Sequence, residues 1–132
     1  MKEQLIENAK VGRQNAYAPY SKFLVGAAIL SESGKIYTGG NIENSSYSLT
    51  CCAERVALFK AISAGEKNFI SMAIIADTEH PISPCGACRQ VMVEFIKDDV
   101  PIYLTNLAGE VRKVFINELL PAAFSANTLN KK

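Results

Sequence analysis

The 132-residue sequence has no apolar run long enough to cross a membrane and no stretch built like a secretory signal. The expectation is therefore a soluble, cytoplasmic chain with no membrane partner. It also has no excess of charge: 14 Lys and Arg stand against 13 Asp and Glu, and the cations are scattered along the chain. No electrostatic footprint for a polyanion results, which argues against a polynucleotide partner. Internal repeats and linkers are missing too, so residues 1–132 read as a single domain, long enough to bury a core without staples. Histidine is nearly missing. The one present, His80, falls in an expected loop before Pro81 and is not needed as a ligand. Four cysteines could frame disulfides in a secreted chain, but without a signal that context is lacking, and metal ligation becomes the leading reading.

The apolar pattern is informative about class. Leu5, Ile6, Ala9 and Ala16 recur at near-helical spacing between Lys2 and Tyr17, predicting an amphipathic helix that ends before Pro19. Phe23–Leu30 and Lys35–Thr38, separated by Ser33 and Gly34, read as a hairpin, and Gly39–Thr50 as a loop. A helix apolar around most of its circumference is predicted from Cys52 to about Ala64, with Gly65 ending it. Phe69–Ala76 reads as a buried strand, and Pro84 opens another helix through Ile96. Strands over Val100–Thr105 and Val111–Ile116 and a short helix around Leu119 complete the order. The tail from Asn127 to Lys132 is expected to fray. This succession predicts an α/β fold, a mixed sheet of about five strands covered by helices on both faces.

The chemistry concentrates in two short stretches. "SPCGACRQVMVEF" places Cys85 and Cys88 three residues apart at a helix start, where the peptide dipoles and free N–H groups favour thiolates. "LTCCAERVALF" adds a thiol at the start of the other buried helix. Three thiolates would give zinc three protein ligands and leave one tetrahedral position open, as catalytic sites do. Glu54, just beyond that helix start, suits a proton shuttle that does not itself bind metal. Three thiolates make a negative centre, and Arg55 is placed to donate to their sulfurs and offset it.

Zinc deaminases carry a His or Cys ligand, any residue and Glu, followed later by Pro-Cys-x-x-Cys. "CAE" at Cys52–Glu54 and "PCGAC" at Pro84–Cys88 match both halves. Together with "AYAPYSKFLVGAA" (Ala16–Ala28), "NIENSSY" (Asn41–Tyr47) and "ELLPAAFS" (Glu118–Ser125), they make nearly the whole chain resemble the small homotetrameric cytidine deaminases. That resemblance implies one Zn2+ per chain on Cys52, Cys85 and Cys88, with Glu54 as the catalytic acid and base. It implies that Asn41 and Glu43 hold ribose hydroxyls, that Phe23 lines the base pocket and that the Ala53 backbone contacts the pyrimidine. It further implies that Phe124 reaches a neighbouring subunit's site, and that cytidine and 2′-deoxycytidine are the substrates.

Plainer readings compete. The thiols could be inert buried groups, since free cysteine is among the most buried residue types. Cys51 could close a structural four-cysteine zinc site, although adjacent residues seldom point at one atom and Glu54 would then have no role. Phe23 and Phe124 could be core aromatics, Tyr17 and Tyr20 read as structural, and Arg55 could be an exposed helix cation. A deaminase of another aminopyrimidine nucleoside, of the blasticidin type, and a zinc-stabilised interaction module without activity are the alternative functions.

Overall fold

The computed structural model describes residues 1–126, so the tail from Asn127 expected to fray lies outside the described residues. Helix α1 (Lys2–Gln14) buries Leu5, Ala9 and Gly12, three positions at the spacing that lines one side of a helix. It stops short of Tyr17, where the predicted helix would have run. The Tyr17 N–H instead donates to the Asn41 carbonyl and its own carbonyl accepts from Glu43, which draws the chain into an extended bridge. Pro19 reinforces the stop, because it disfavours helical geometry at the residue before it.

Strands β1 (Val25–Ser31) and β2 (Ile36–Gly40) form the expected hairpin, turned by Gly34 at φ +92°. A loop containing a single 3-10 turn, Tyr47–Leu49, leads to α2 (Ala53–Ser63). Strand β3 (Phe69–Ala76) follows, then α3 (Gly86–Phe95), β4 (Ile102–Asn106), β5 (Val111–Val114) and α4 (Ile116–Leu119). The strands make one sheet in the order β2-β1-β3-β4-β5, antiparallel except for the parallel pair β3–β4. A parallel pair needs a crossover, and α3 supplies it.

Alternation along the strands sorts side chains to two cores. Ala28, Leu30, Ala73 and Ile75 pack with Leu5 and Ala9 of α1 on one face. Ala27, Ile29, Met72 and Ile74 meet α2 and α3 on the other, through Leu58 and Met92 among others. This is the expected mixed α/β sheet with helices on both faces. β3 is buried along nearly its whole length because both of its faces are covered, hence a sequence that is apolar at every position except Ser71.

One close approach sets the position of the site. A Cβ at Gly39 would lie 2.7 Å from the Ala53 carbonyl oxygen and 2.6 Å from the Ala57 nitrogen, so only glycine lets α2 lie directly on β2. The N-terminus of α2 is thereby fixed against the sheet. No helix among the described residues is long and apolar enough to cross a membrane.

Candidate metal centre and active site

Two helices begin side by side, and each begins on a cysteine. Cys52 is the N-cap of α2 and Cys85 the N-cap of α3, both in extended conformation, with Cys88 following in the first turn of α3. The Cys52 and Cys85 sulfurs are 3.8 Å apart, those of Cys85 and Cys88 3.1 Å, and all three Sγ atoms lie within 4.8 Å of one another. Zinc–sulfur bonds of about 2.3 Å in tetrahedral geometry require sulfurs about 3.8 Å apart. The triad meets that requirement after a small opening of the Cys85–Cys88 pair, and it can hold one metal ion.

The electrostatics suit a cation. A hydrogen bond from Cys88, helped by Arg55 and Cys85, brings the Cys52 thiol down to about 5. The same hydrogen bond and burial push Cys88 the other way, so the set gives up its protons unevenly. A dication held there would supply the attraction that removes the remaining ones. Arg55 Nη2 lies 3.7 Å from Cys52 Sγ and donates to the Thr50 carbonyl at 3.2 Å. The thiolate holds its guanidinium firmly protonated, above an already high value. Arg55 is therefore not the exposed helix cation of the plainer reading.

Glu54 is buried, 4 % exposed, in the first turn of α2. Burial, reinforced by the charge on Cys52, raises its carboxyl to about 7, while Arg55 and a hydrogen bond with Cys88 oppose the shift. A carboxyl poised near neutrality can both take and give a proton.

Cys51 points elsewhere. Its N–H and carbonyl pair with Ile42, and it lines a groove of about 670 Å³ with Ile42, Leu49, Val56 and Phe59. Successive residues in extended backbone face opposite ways, so Cys52 turns to the sulfur triad and Cys51 away from it. The closed four-cysteine site is thereby set aside. Changing Cys51→Ser should leave zinc per chain and turnover unaltered, checked by metal analysis and a rate assay on the same preparation; loss of both would show that the register of the site is wrong.

The other anticipated residues form a second group. Asn41 accepts from the Val25 N–H at 2.9 Å and donates to the Phe23 carbonyl at 2.9 Å. Glu43 Oε1 accepts from the Tyr20 and Ser21 N–H groups, and Oε2 accepts from the Ser21 hydroxyl. The Ile42–Cys51 bridge joins this group to the segment that enters α2. Phe23 and Phe124 are exposed, 40 % and 58 %, so neither is a core aromatic within the chain. Ala53 is fully buried at the start of α2 and can meet a ligand only through its backbone.

Several contributors went unnoticed in the sequence. Arg89, next to Cys88, donates to the Pro84 and Leu119 carbonyls and to the Ser83 hydroxyl, tying the ligand loop to the C-terminal segment. Gln90 donates to the Phe124 carbonyl at 2.7 Å. Their positions one and two residues after Cys88 are the available signal. Ser21 was the third, two residues before Phe23 at the spacing of a hydroxyl-to-backbone turn.

Residues 1–104 match the cytidine and deoxycytidylate deaminase zinc-binding region. A cytidine deaminase from Sporosarcina psychrophila is 56 % identical over 128 residues, covering 97 % of this chain and 94 % of its own. One from Halalkalibacterium halodurans is 50 % identical over 98 % of both chains. The crystal structure of cytidine deaminase from Burkholderia pseudomallei superposes with a TM-score of 0.92 at 50 % identity, covering 94 % of this chain and 99 % of that one. With a thiol triad that can hold one metal ion beside a buried glutamate, and with this likeness along nearly its whole length, the chain belongs to the zinc-binding cytidine and deoxycytidylate deaminase family.

Proposed function

We propose that this chain hydrolyses cytidine and 2′-deoxycytidine to uridine and 2′-deoxyuridine with release of ammonia, as one catalytic domain over residues 1–132. The observation that carries this reading is the buried Glu54 carboxyl set against three converging thiols at paired helix starts. Cys52, Cys85 and Cys88 would hold one zinc ion, whose Lewis acidity would make water a nucleophile at neutral pH. Glu54 removes a proton from the water that attacks C4 of the base and delivers it to N3. It then carries the remaining hydroxyl proton to the amino group as the C4–N bond breaks, so that ammonia leaves and a carbonyl remains. Arg55 donates to Cys52 and tempers the negative charge of three thiolates.

Substrate contacts follow the second group of residues. Glu43 is acceptor-only, and hydrogen bonds from Ser21 hold its carboxyl below the usual carboxylate range, so it suits a ribose hydroxyl as donor. Asn41 lies beside it, Phe23 and the Ala53 backbone border the base, and Phe124 reaches a neighbouring subunit's site. The exposed Ile42, Leu49 and Phe59 lining the 670 Å³ groove support a subunit interface, as the homotetramer of this reading requires. Four unpaired cysteines accord with a cytoplasmic location.

The test is spectrophotometric. Purified protein should consume the absorbance of cytidine and deoxycytidine, leave cytosine untouched and contain about one zinc per chain, the single ion that three ligands can hold. Unchanged cytidine and deoxycytidine in a zinc-loaded sample would overturn this reading and leave the blasticidin-type deaminase and the interaction module, which an assay with blasticidin S separates.

A further inference from the structure

The loop before β1 is laced to the Asn41–Glu43 segment through side chains. Two of the links run through Ser21, whose hydroxyl donates to Glu43 Oε2 and accepts from the Phe23 N–H at 3.0 Å. Between them Lys22 sits at φ +62°, a left-handed conformation that a residue with a side chain adopts only when its surroundings hold it there. The Lys22 N–H donates to the Ala18 carbonyl, and Asn41 holds the Phe23 carbonyl and the Val25 N–H on the far side. The Glu43 carboxylate offers about four lone-pair sites. Tyr20 and Ser21 N–H groups occupy Oε1 and the Ser21 hydroxyl occupies one site on Oε2, which leaves Oε2 to receive a further donor.

We propose that Ser21 is a positioning residue for nucleoside binding: its hydroxyl couples the Glu43 carboxylate to the Phe23 backbone, so that ribose and base contacts are set as one unit. This rests on the reading above that Glu43 and Phe23 touch the nucleoside. Removing the hydroxyl frees Oε2 to turn and strips the Phe23 N–H of its acceptor, while the sulfur triad and Glu54 keep their own partners.

Ser21→Ala should raise KM for cytidine about tenfold with kcat changed less than about twofold, the pattern of lost binding that does not grow in the transition state. Zinc per chain should stay the same. Ser21→Thr, which restores the hydroxyl, should bring KM back. In the double variant with Glu43→Gln, removing the Ser21 hydroxyl should raise KM by a smaller factor than it does in the wild type, since one of its two links, that to the Glu43 carboxylate, has already been altered. An unchanged KM in Ser21→Ala, or two effects that simply multiply, overturns the proposal. So does a fall in zinc content or kcat without a change in KM, which marks a general structural role. If Glu43→Gln itself leaves KM unaltered, the ribose reading of Glu43 fails. If Glu43→Gln raises KM while Ser21→Ala does not, only the role of Ser21 fails.

Discussion

Glu54→Gln should lower kcat for cytidine by about a thousandfold or more while zinc stays bound at the wild-type level. Gln is nearly isosteric with Glu and neutral, so the buried position loses no volume and gains no charge to desolvate. What it loses is the capacity to take a proton. General acid–base catalysis by one positioned group contributes roughly 10²–10⁴-fold. Glu54 serves two successive transfers, to N3 and to the departing amine, which puts its loss toward the upper end of that range. Turnover at saturating cytidine, measured beside metal content and thermal stability, separates the outcomes. Loss of zinc in the variant would mean that Glu54 is a ligand and that one of the three cysteines has been misassigned.

The centre was legible in the sequence because its geometry is local. Cys85 and Cys88 lie within one turn, and Cys52 and Glu54 straddle the start of another helix, so each half of the constellation is set by the helix that carries it. β3 was legible to the residue, since burial on both faces leaves a stretch that is apolar but for Ser71. Less legible was whatever depends on distant partners. Phe23 and Leu24 have the apolar character of the strand that follows, but Asn41 claims the Phe23 carbonyl and the Val25 N–H from 18 and 16 residues away, and β1 begins only at Val25. The same separation hid the anchoring of Glu43 on Tyr20 and Ser21, which lie 23 and 22 residues away. No periodicity marks such a contact. The roles of the adjacent cysteines fell between these cases. Their opposite facing follows from extended backbone, but which one faces the triad depends on the Ile42 bridge.

Cys88→Ala should cost both the metal and the activity. Cys88 is fully buried, and its sulfur completes a triad that has no spare thiol, since Cys51 faces the apolar groove. Mutating groups that merely support a ligand costs about 10–100-fold in metal affinity. Removing one of three ligands should exceed that, and dialysed protein should retain little zinc. The packing loss is smaller: a single sulfur atom leaves a cavity whose cost is about 1 kcal/mol. Because a metal that binds only the folded state stabilises it by mass action, the larger part of any fall in Tm should come from lost zinc. Wild-type protein stripped with a chelator provides the comparison. Its Tm should lie within a few degrees of the variant's, as a packing term of that size implies. Returned zinc should raise the Tm of the stripped wild type and restore its deaminase rate, while leaving Cys88→Ala unaffected. A variant that keeps its zinc would show that the centre closes on a different set of atoms, with Cys51 or Glu54 drawn in. A variant that loses zinc but keeps turnover would separate the triad from the chemistry altogether.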